Sequence, residues 1–119
     1  MPTSALITIQ TVEENFSGYK VVHCVFDCNP SYLGKILIKQ YNKPNKVNEL
    51  IDKGDYISIN LNSTKLNING NNKPSLLSSL KEVCKLGIST DCSYIYLFKD
   101  NKWYISFNCL ESEFIQLKF

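Results

Sequence analysis

The chain has 119 residues, 44% of them hydrophobic, and a formal net charge of +2. This length and composition predict one globular domain over residues 1–119 with an ordinary core. All thirteen cations are lysine. Because arginine is the preferred residue for bidentate phosphate and base-edge contacts, its absence argues against nucleic acid as a partner. No apolar run approaches the roughly 20 residues of a membrane helix, and we see no signal-peptide pattern, so we expect a cytoplasmic protein without a membrane partner.

The five cysteines occur at uneven spacings, at positions 24, 28, 84, 92 and 109. Cys24 and Cys28 do not have a standard zinc spacing. The single histidine, His23, is adjacent to Cys24, and neighbouring residues of a strand point to opposite faces. We therefore predict reduced, buried and unreactive thiols, with no metal and no cofactor.

Two β-branched segments open the chain, over residues 3–12 and 19–27, with turn-forming residues at 15–18. They predict two strands paired as a hairpin. Both faces of the second strand are largely apolar. This favours a central strand that is covered on both sides and ends at Asp27.

The first helix begins after a turn. Asn29 is the predicted N-cap and Pro30 the first helical residue. Apolar residues then recur at helical spacing. They predict a buried stripe of Leu33, Ile36, Leu37 and Gln40 or Tyr41.

Two further helices are predicted over residues 46–53 and 74–85, the second ended by Gly87. Between them, residues 56–61 favour a short strand or an extended segment. The asparagine-rich stretch 62–73 favours a loop or a loose hairpin.

The C-terminal part predicts three strands, over residues 93–99, 102–107 and 113–119, the first two joined by a tight turn at Asp100 and Asn101. The whole pattern predicts an α+β fold. Its antiparallel sheet would have about five strands, with two to three helices packed mainly on one face. The last strand could pair with a second copy and give a homodimer.

The segment HCVFDCNPSYLGKILIKQYNKPNKVNELIDKGDYIS, residues 23–58, carries a distinctive set of motifs. They are an aromatic-Asp pair, a turn proline, Gly-Lys with an aliphatic pair, Val-x-x-Leu-Ile and a Gly-Asp corner. This set resembles a family of short, largely uncharacterised proteins of phages, prophages and other mobile elements. The matching positions are Phe26-Asp27, Pro30, Gly34-Lys35-Ile36-Leu37, Tyr41, Val47, Leu50-Ile51, Gly54-Asp55 and Ile57-Ser58. The later stretch YIYLFKDNKWYISF fits the family's aromatic hairpin.

One departure from the family pattern is Cys28-Asn29, where Gly-Tyr is usual; Tyr32 lies nearby and could substitute for the missing tyrosine. The resemblance implies a genomic setting more than a chemistry. Small proteins of mobile elements often counter host defence. They bind a defence protein or sequester a nucleotide signal.

The strand-to-helix corner is the first candidate site, formed by Asp27, Tyr32, Gly34 and Lys35. Gly34 weakens a helix by about 1 kcal/mol relative to alanine, which calls for close packing or close ligand approach. Either the corner is only structural, or it contacts a ligand or partner. Asp27 would repel a phosphate at the helix N-terminus, which favours a protein or an amine-bearing partner.

Two more residues are candidates for contact with a ligand or partner. Asp55 is either a turn residue or faces the same cleft as Asp27. Trp103 and Tyr104 lie on opposite faces of one strand, so one ring or the other points away from the core as a potential interface anchor, unless helices cover it.

No nucleophile, base and orienting group occur together, and no phosphate-binding motif is present, so we do not expect an enzyme. The sequence favours a non-enzymatic binding protein of mobile-element origin. It would inhibit or sequester a host or rival protein, or a small nucleotide signal. The alternatives are an immunity protein for a cognate bacterial toxin, a small nucleotide-acting enzyme that uses Asp27, Lys35 and Asp55, and a structural subunit that only self-associates.

Overall fold

A computed structural model describes residues 4–13, 16–53, 74–107, 109 and 113–118. Three of the sequence predictions lie outside these residues. They are the strand over 56–61, the loop over 62–73, and any role of Asp55.

Six strands make up the sheet in the described part of the chain. They are β1 (Ala5–Glu13), β2 (Phe16–Cys24), β3 (Ser75–Leu77), β4 (Tyr94–Lys99), β5 (Lys102–Ser106) and β6 (Ile115–Gln116). Their spatial order is β3-β2-β1-β4-β5-β6, with β1 and β4 parallel and the other neighbours antiparallel. The α+β class and the mostly antiparallel sheet are confirmed, with six strands rather than about five.

The helices lie on both faces of the sheet. A single π-helical turn, Pro30–Gly34, runs directly into α1 (Lys35–Gln40), and α2 (Pro44–Asp52) follows. These cover one face, and α3 (Leu80–Ser89) packs on the other. Successive side chains of a strand point to opposite faces of the sheet, so each strand contributes apolar residues to a core on either face. On β1, for example, Ile7 faces α1 and α2, whereas Leu6 faces α3.

The first helical segment follows the predicted pattern. Its predicted stripe is buried, as Leu33, Ile36, Leu37 and Tyr41. Asn29 and Pro30 hold the predicted N-cap and first helical positions, and the Asn29 carbonyl accepts the Leu33 N–H at 2.8 Å. The Asn29 side chain does not cap the helix. It accepts the Tyr94 hydroxyl at 3.2 Å instead.

The prediction that Asp27 ends a strand was wrong. β2 ends at Cys24, and Asp27 has φ 60°. A positive φ is incompatible with the extended backbone of a strand. Asp27 therefore sits in the connection between β2 and the first helix.

The predicted third helix is present, but its predicted bounds of 74–85 and its predicted end at Gly87 were wrong. Residues Ser75–Leu77 form β3, paired with β2, and α3 begins after Ser79. The Ser79 hydroxyl accepts the Glu82 N–H at 3.3 Å, and the Glu82 carboxylate accepts the Ser78 N–H at 3.1 Å. These two hydrogen bonds fix the start of the helix, in a variant of the capping box in which the glutamate reaches the residue before the N-cap.

Gly87 lies inside α3, not at its end, and is buried. A Cβ there would stand 3.0 Å from Cys109 Sγ and 3.1 Å from Ile95 Cδ1. The glycine therefore lets the helix approach the sheet closely.

The C-terminal hairpin is confirmed. Asp100 and Asn101 have φ 53° and 61°, as a type I′ turn requires. Of the predicted strand over 113–119, only Ile115–Gln116 pairs with β5. None of the described helices is long and apolar enough to cross a membrane.

Candidate functional site

Several chain segments meet at one end of the sheet. Ala5, at the start of β1, pairs with Cys24 at the end of β2 and with Tyr94 at the start of β4. Ile95 pairs with Ser106, at the end of β5. The segments that follow β2 and β5 therefore leave the sheet at the same end.

Aromatic side chains mark this end. We call Phe26, Tyr32, Tyr94 and Phe107 the aromatic end. Phe26, Tyr32 and Phe107 are 42%, 37% and 47% exposed. The Tyr94 and Phe107 rings meet edge to face, with centroids 5.7 Å apart. The hydrogen bond from Tyr94 to Asn29 ties the predicted corner to β4. The corner and the start of the C-terminal hairpin thus form one surface.

A cavity of about 520 Å³ opens at this surface. Its lining includes Ile88, Asp91, Cys92, Tyr94, Phe107 and Cys109. We call it the sheet-end cavity. Its volume falls within the range of about 300–1,000 Å³ that is typical of small-ligand sites.

Three residues at this end have a left-handed backbone: Asp27 at φ 60°, Asp91 at φ 59° and Cys109 at φ 55°. Aspartate tolerates this conformation better than most residues, and such positions are enriched at functional sites. Both aspartates are exposed. They give the aromatic end two carboxylates next to its apolar rings.

The cysteines near this end are free thiols. Burial raises the pKa of Cys92, and it raises the pKa of Cys109 to about 11. A hydrogen bond with Cys24, together with burial, raises the pKa of Cys28. These thiols are therefore protonated at neutral pH, which makes them poor nucleophiles.

The structure places four of the predicted site residues at or beside this end. Asp27 and Lys35 are exposed, and Tyr32 is partly exposed. Gly34 is buried with φ −57° and ψ −42°, an ordinary helical conformation. Its backbone conformation therefore does not require glycine.

Trp103, also a predicted site residue, does not lie near the aromatic end. It lies at the opposite end of β5 and is 3% exposed. Its indole N–H donates to the Tyr41 carbonyl at 2.8 Å, and its ring meets Phe98 at 5.2 Å between centroids. The side chain therefore serves the core. It also lines a second cavity, of about 360 Å³, with Lys102 and Lys118.

Sequence reasoning missed Ile88, Asp91, Tyr94 and Phe107 as one site. Tyr94 and Phe107 stood out only as members of an aromatic hairpin. Nothing local in the sequence links them to Asn29, because the link depends on the pairing of β1 with both β2 and β4.

Within the described ranges, no group of three or more His, Cys, Asp or Glu side chains is placed to hold a metal ion. No protein-family model, curated protein or solved structure matches the chain. The function of the site must therefore be inferred from its own chemistry.

Proposed function

We propose that this chain is a cytoplasmic, non-enzymatic binding protein of mobile-element origin. It inhibits a host-defence or rival protein by covering part of that protein's surface with the aromatic end. The observation that carries the proposal is the presence of several exposed rings at this end of the sheet, together with Ile88, which lines the sheet-end cavity and is 63% exposed. Aromatic side chains dominate the energetics of protein interfaces, and clustered exposed apolar side chains mark interaction sites.

Charge favours a protein partner over a nucleotide at this surface. Asp27 and Asp91 are both exposed beside the rings. Carboxylates repel phosphate groups and attract basic side chains. The partner that fits is a protein with an apolar centre and basic residues around it.

The mobile-element setting rests on the motifs of residues 23–58. Phe26 and Asp27 belong both to those motifs and to the exposed surface.

A second candidate function is immunity against a bacterial toxin. The two exposed aspartates beside the rings favour it, because an acidic and aromatic surface suits a basic toxin. The two functions use the same surface and differ in the partner.

The test is a phage-replication assay in bacteria that carry individual defence systems, with and without the chain. We expect the wild type to restore phage replication against one system. Phe26→Ser combined with Tyr32→Ser should abolish this rescue. Val12→Ser is the matched control, since Val12 is 80% exposed near the opposite end of the sheet, and it should leave rescue intact.

Rescue that survives the double substitution would contradict the proposed surface. Absence of rescue against all systems, together with protection from a co-expressed toxin, would support the immunity function instead. All variants should be compared at equal soluble amount, since loss of protein would mimic loss of binding.

A further inference from the structure

The wall of the sheet-end cavity combines one carboxylate with aromatic surface. Among the described residues of its lining, Asp91 is the one that carries a charge. The Cys92 and Cys109 thiols are neutral at neutral pH, because burial raises the pKa of each. The described residues of the lining therefore supply a single negative charge and no cation.

The backbone holds Asp91 in place. Its N–H donates to the Ile88 carbonyl at 3.1 Å, and its own carbonyl accepts the Ser4 hydroxyl at 3.4 Å. The Ser93 N–H in turn donates to the Ser4 carbonyl at 2.9 Å. The Asp91 carboxylate itself has no hydrogen-bond or ion-pair partner among the described residues. The backbone of Asp91 is thus held by hydrogen bonds, while its carboxylate can accept hydrogen bonds from a ligand.

The aromatic part of the wall is also fixed. The Tyr94 hydroxyl is bound to Asn29, and the Phe107 ring lies edge-on to Tyr94 at 81°. Because both ring positions are constrained by these contacts, a planar group entering the cavity would find preformed apolar surface next to Asp91.

We propose that the sheet-end cavity binds an arginine side chain of the partner protein. This inference deepens the proposed function and rests on it for the identity of the partner as a protein. A guanidinium group is planar, stacks on aromatic rings and pairs with a carboxylate through two parallel hydrogen bonds. The cavity offers both kinds of contact, and its 520 Å³ also leaves room for backbone on either side of the arginine.

The test needs no partner protein. The probes are the Nα-acetyl amides of arginine, lysine, norleucine and glutamate, which share a backbone and differ in the side chain. Each is titrated into the ¹⁵N-labelled full chain while amide chemical shifts are followed. We expect saturable shifts at Ser93 and Tyr94 with the arginine amide, weaker binding of the lysine amide, and no saturation with the glutamate amide.

The key variant is Asp91→Asn, which keeps the side-chain shape and tolerates φ 59°. It should weaken binding of the arginine amide about tenfold, through loss of the charge-assisted pair. The matched control is Asp100→Asn. It removes the same charge at φ 53° but in the hairpin turn, and it should leave the affinity unchanged.

Equal binding of norleucine and arginine, no effect of Asp91→Asn, or no saturation with any cation would overturn the inference. These results do not depend on phage rescue. If the arginine amide does not bind while rescue still requires Phe26 and Tyr32, the inhibitor function stands and only the arginine pocket is lost. If it binds but rescue is insensitive to those rings, the pocket stands and the inhibitor function is lost.

Discussion

The two ends of the sheet use the same kinds of residue in opposite ways. The aromatic end exposes Phe26, Tyr32 and Phe107. At the other end, which we call the hairpin end (Asp100, Asn101, Lys102 and Trp103), the large ring is buried and its N–H is satisfied by a carbonyl. Both ends hold residues at positive φ, but those of the hairpin end close a two-residue turn. Exposure, rather than residue type, therefore separates the rings of the core from the rings available for recognition.

The two cavities differ in charge as well. The sheet-end cavity is lined by Asp91, whereas the cavity at the hairpin end is lined by Lys102 and Lys118. The proposed basic partner should therefore favour the sheet-end cavity over the cavity that is lined by the two lysines.

The largest expected effect on stability comes from truncating a buried ring of the hairpin end, compared with truncating an exposed ring of the aromatic end. Trp103→Ala should lower the free energy of unfolding by about 3–5 kcal/mol, because it opens a cavity and leaves the Tyr41 carbonyl unpaired. Tyr32→Ala should lower it by less than about 1 kcal/mol, as is usual for an exposed side chain. Urea denaturation of both variants measures the difference. Similar losses would mean that the ends do not differ as described.

Alkaline pH should destabilise the protein through the thiols near the aromatic end. The pKa of Cys109 is raised from 9.0 to about 11 by burial, so this thiol ionises in the unfolded chain before it does in the folded one. The contribution of this thiol to the free energy of unfolding is full below about pH 9. It is lost as the pH rises toward 11, at up to about 1.4 kcal/mol per pH unit.

Urea unfolding at about pH 7.5, 9 and 10 measures this slope. Cys109→Ala should make the slope shallower between about pH 9 and 10, because one ionising group is gone from the unfolded chain. A slope that is identical in the wild type and the variant would show that Cys109 is not held neutral by the fold.

Gly87→Ala tests how tightly α3 approaches the sheet beside the sheet-end cavity. Alanine improves intrinsic helix propensity by about 1 kcal/mol, but its Cβ would press on Cys109 and Ile95. We expect a net loss of about 1 kcal/mol in the free energy of unfolding. Lys85→Ala, at an exposed site of the same helix, is the control and should show no loss. A gain in stability for Gly87→Ala would mean that the helix can shift at little cost.

The smallest expected stability effects come from glycine at matched positive-φ sites. Asn101→Gly and Asp91→Gly replace residues at φ 61° and 59°. Each should change the free energy of unfolding by less than about 1 kcal/mol, since glycine adopts this backbone freely. Only Asp91→Gly should weaken binding of the arginine amide. If Asn101→Gly weakens it equally, the effect is not local to the aromatic end.

Much of the fold followed from local patterns. Alternation predicted both hairpins, and helical spacing predicted the buried stripe of the first helix, because these signals lie within short stretches of chain. The start of α3 was also encoded, in the Ser79 and Glu82 capping pair, but Pro74 gave a competing helix-start signal. Gly87 was misread because glycine serves equally at a helix end and at a close packing contact.

The candidate site was less predictable. Asp27 and Tyr32 were found because they flank a recognisable turn. Asp91 and Phe107 join them only through the pairing of β1 with β4 and the hairpin that follows it. A parallel pairing over some ninety residues leaves no short-range signature in the sequence. Trp103 was selected for its residue type, and burial alone reveals that it belongs to the core.

Native mass spectrometry of the chain purified from the cells that naturally produce it tests most directly whether the aromatic end binds a partner protein. We expect a complex with one other protein at fixed stoichiometry. The complex should be lost with Phe26→Ser combined with Tyr32→Ser and retained with Val12→Ser. A retained small nucleotide, a homo-oligomer alone, or a protein complex that is indifferent to Phe26 and Tyr32 would contradict it.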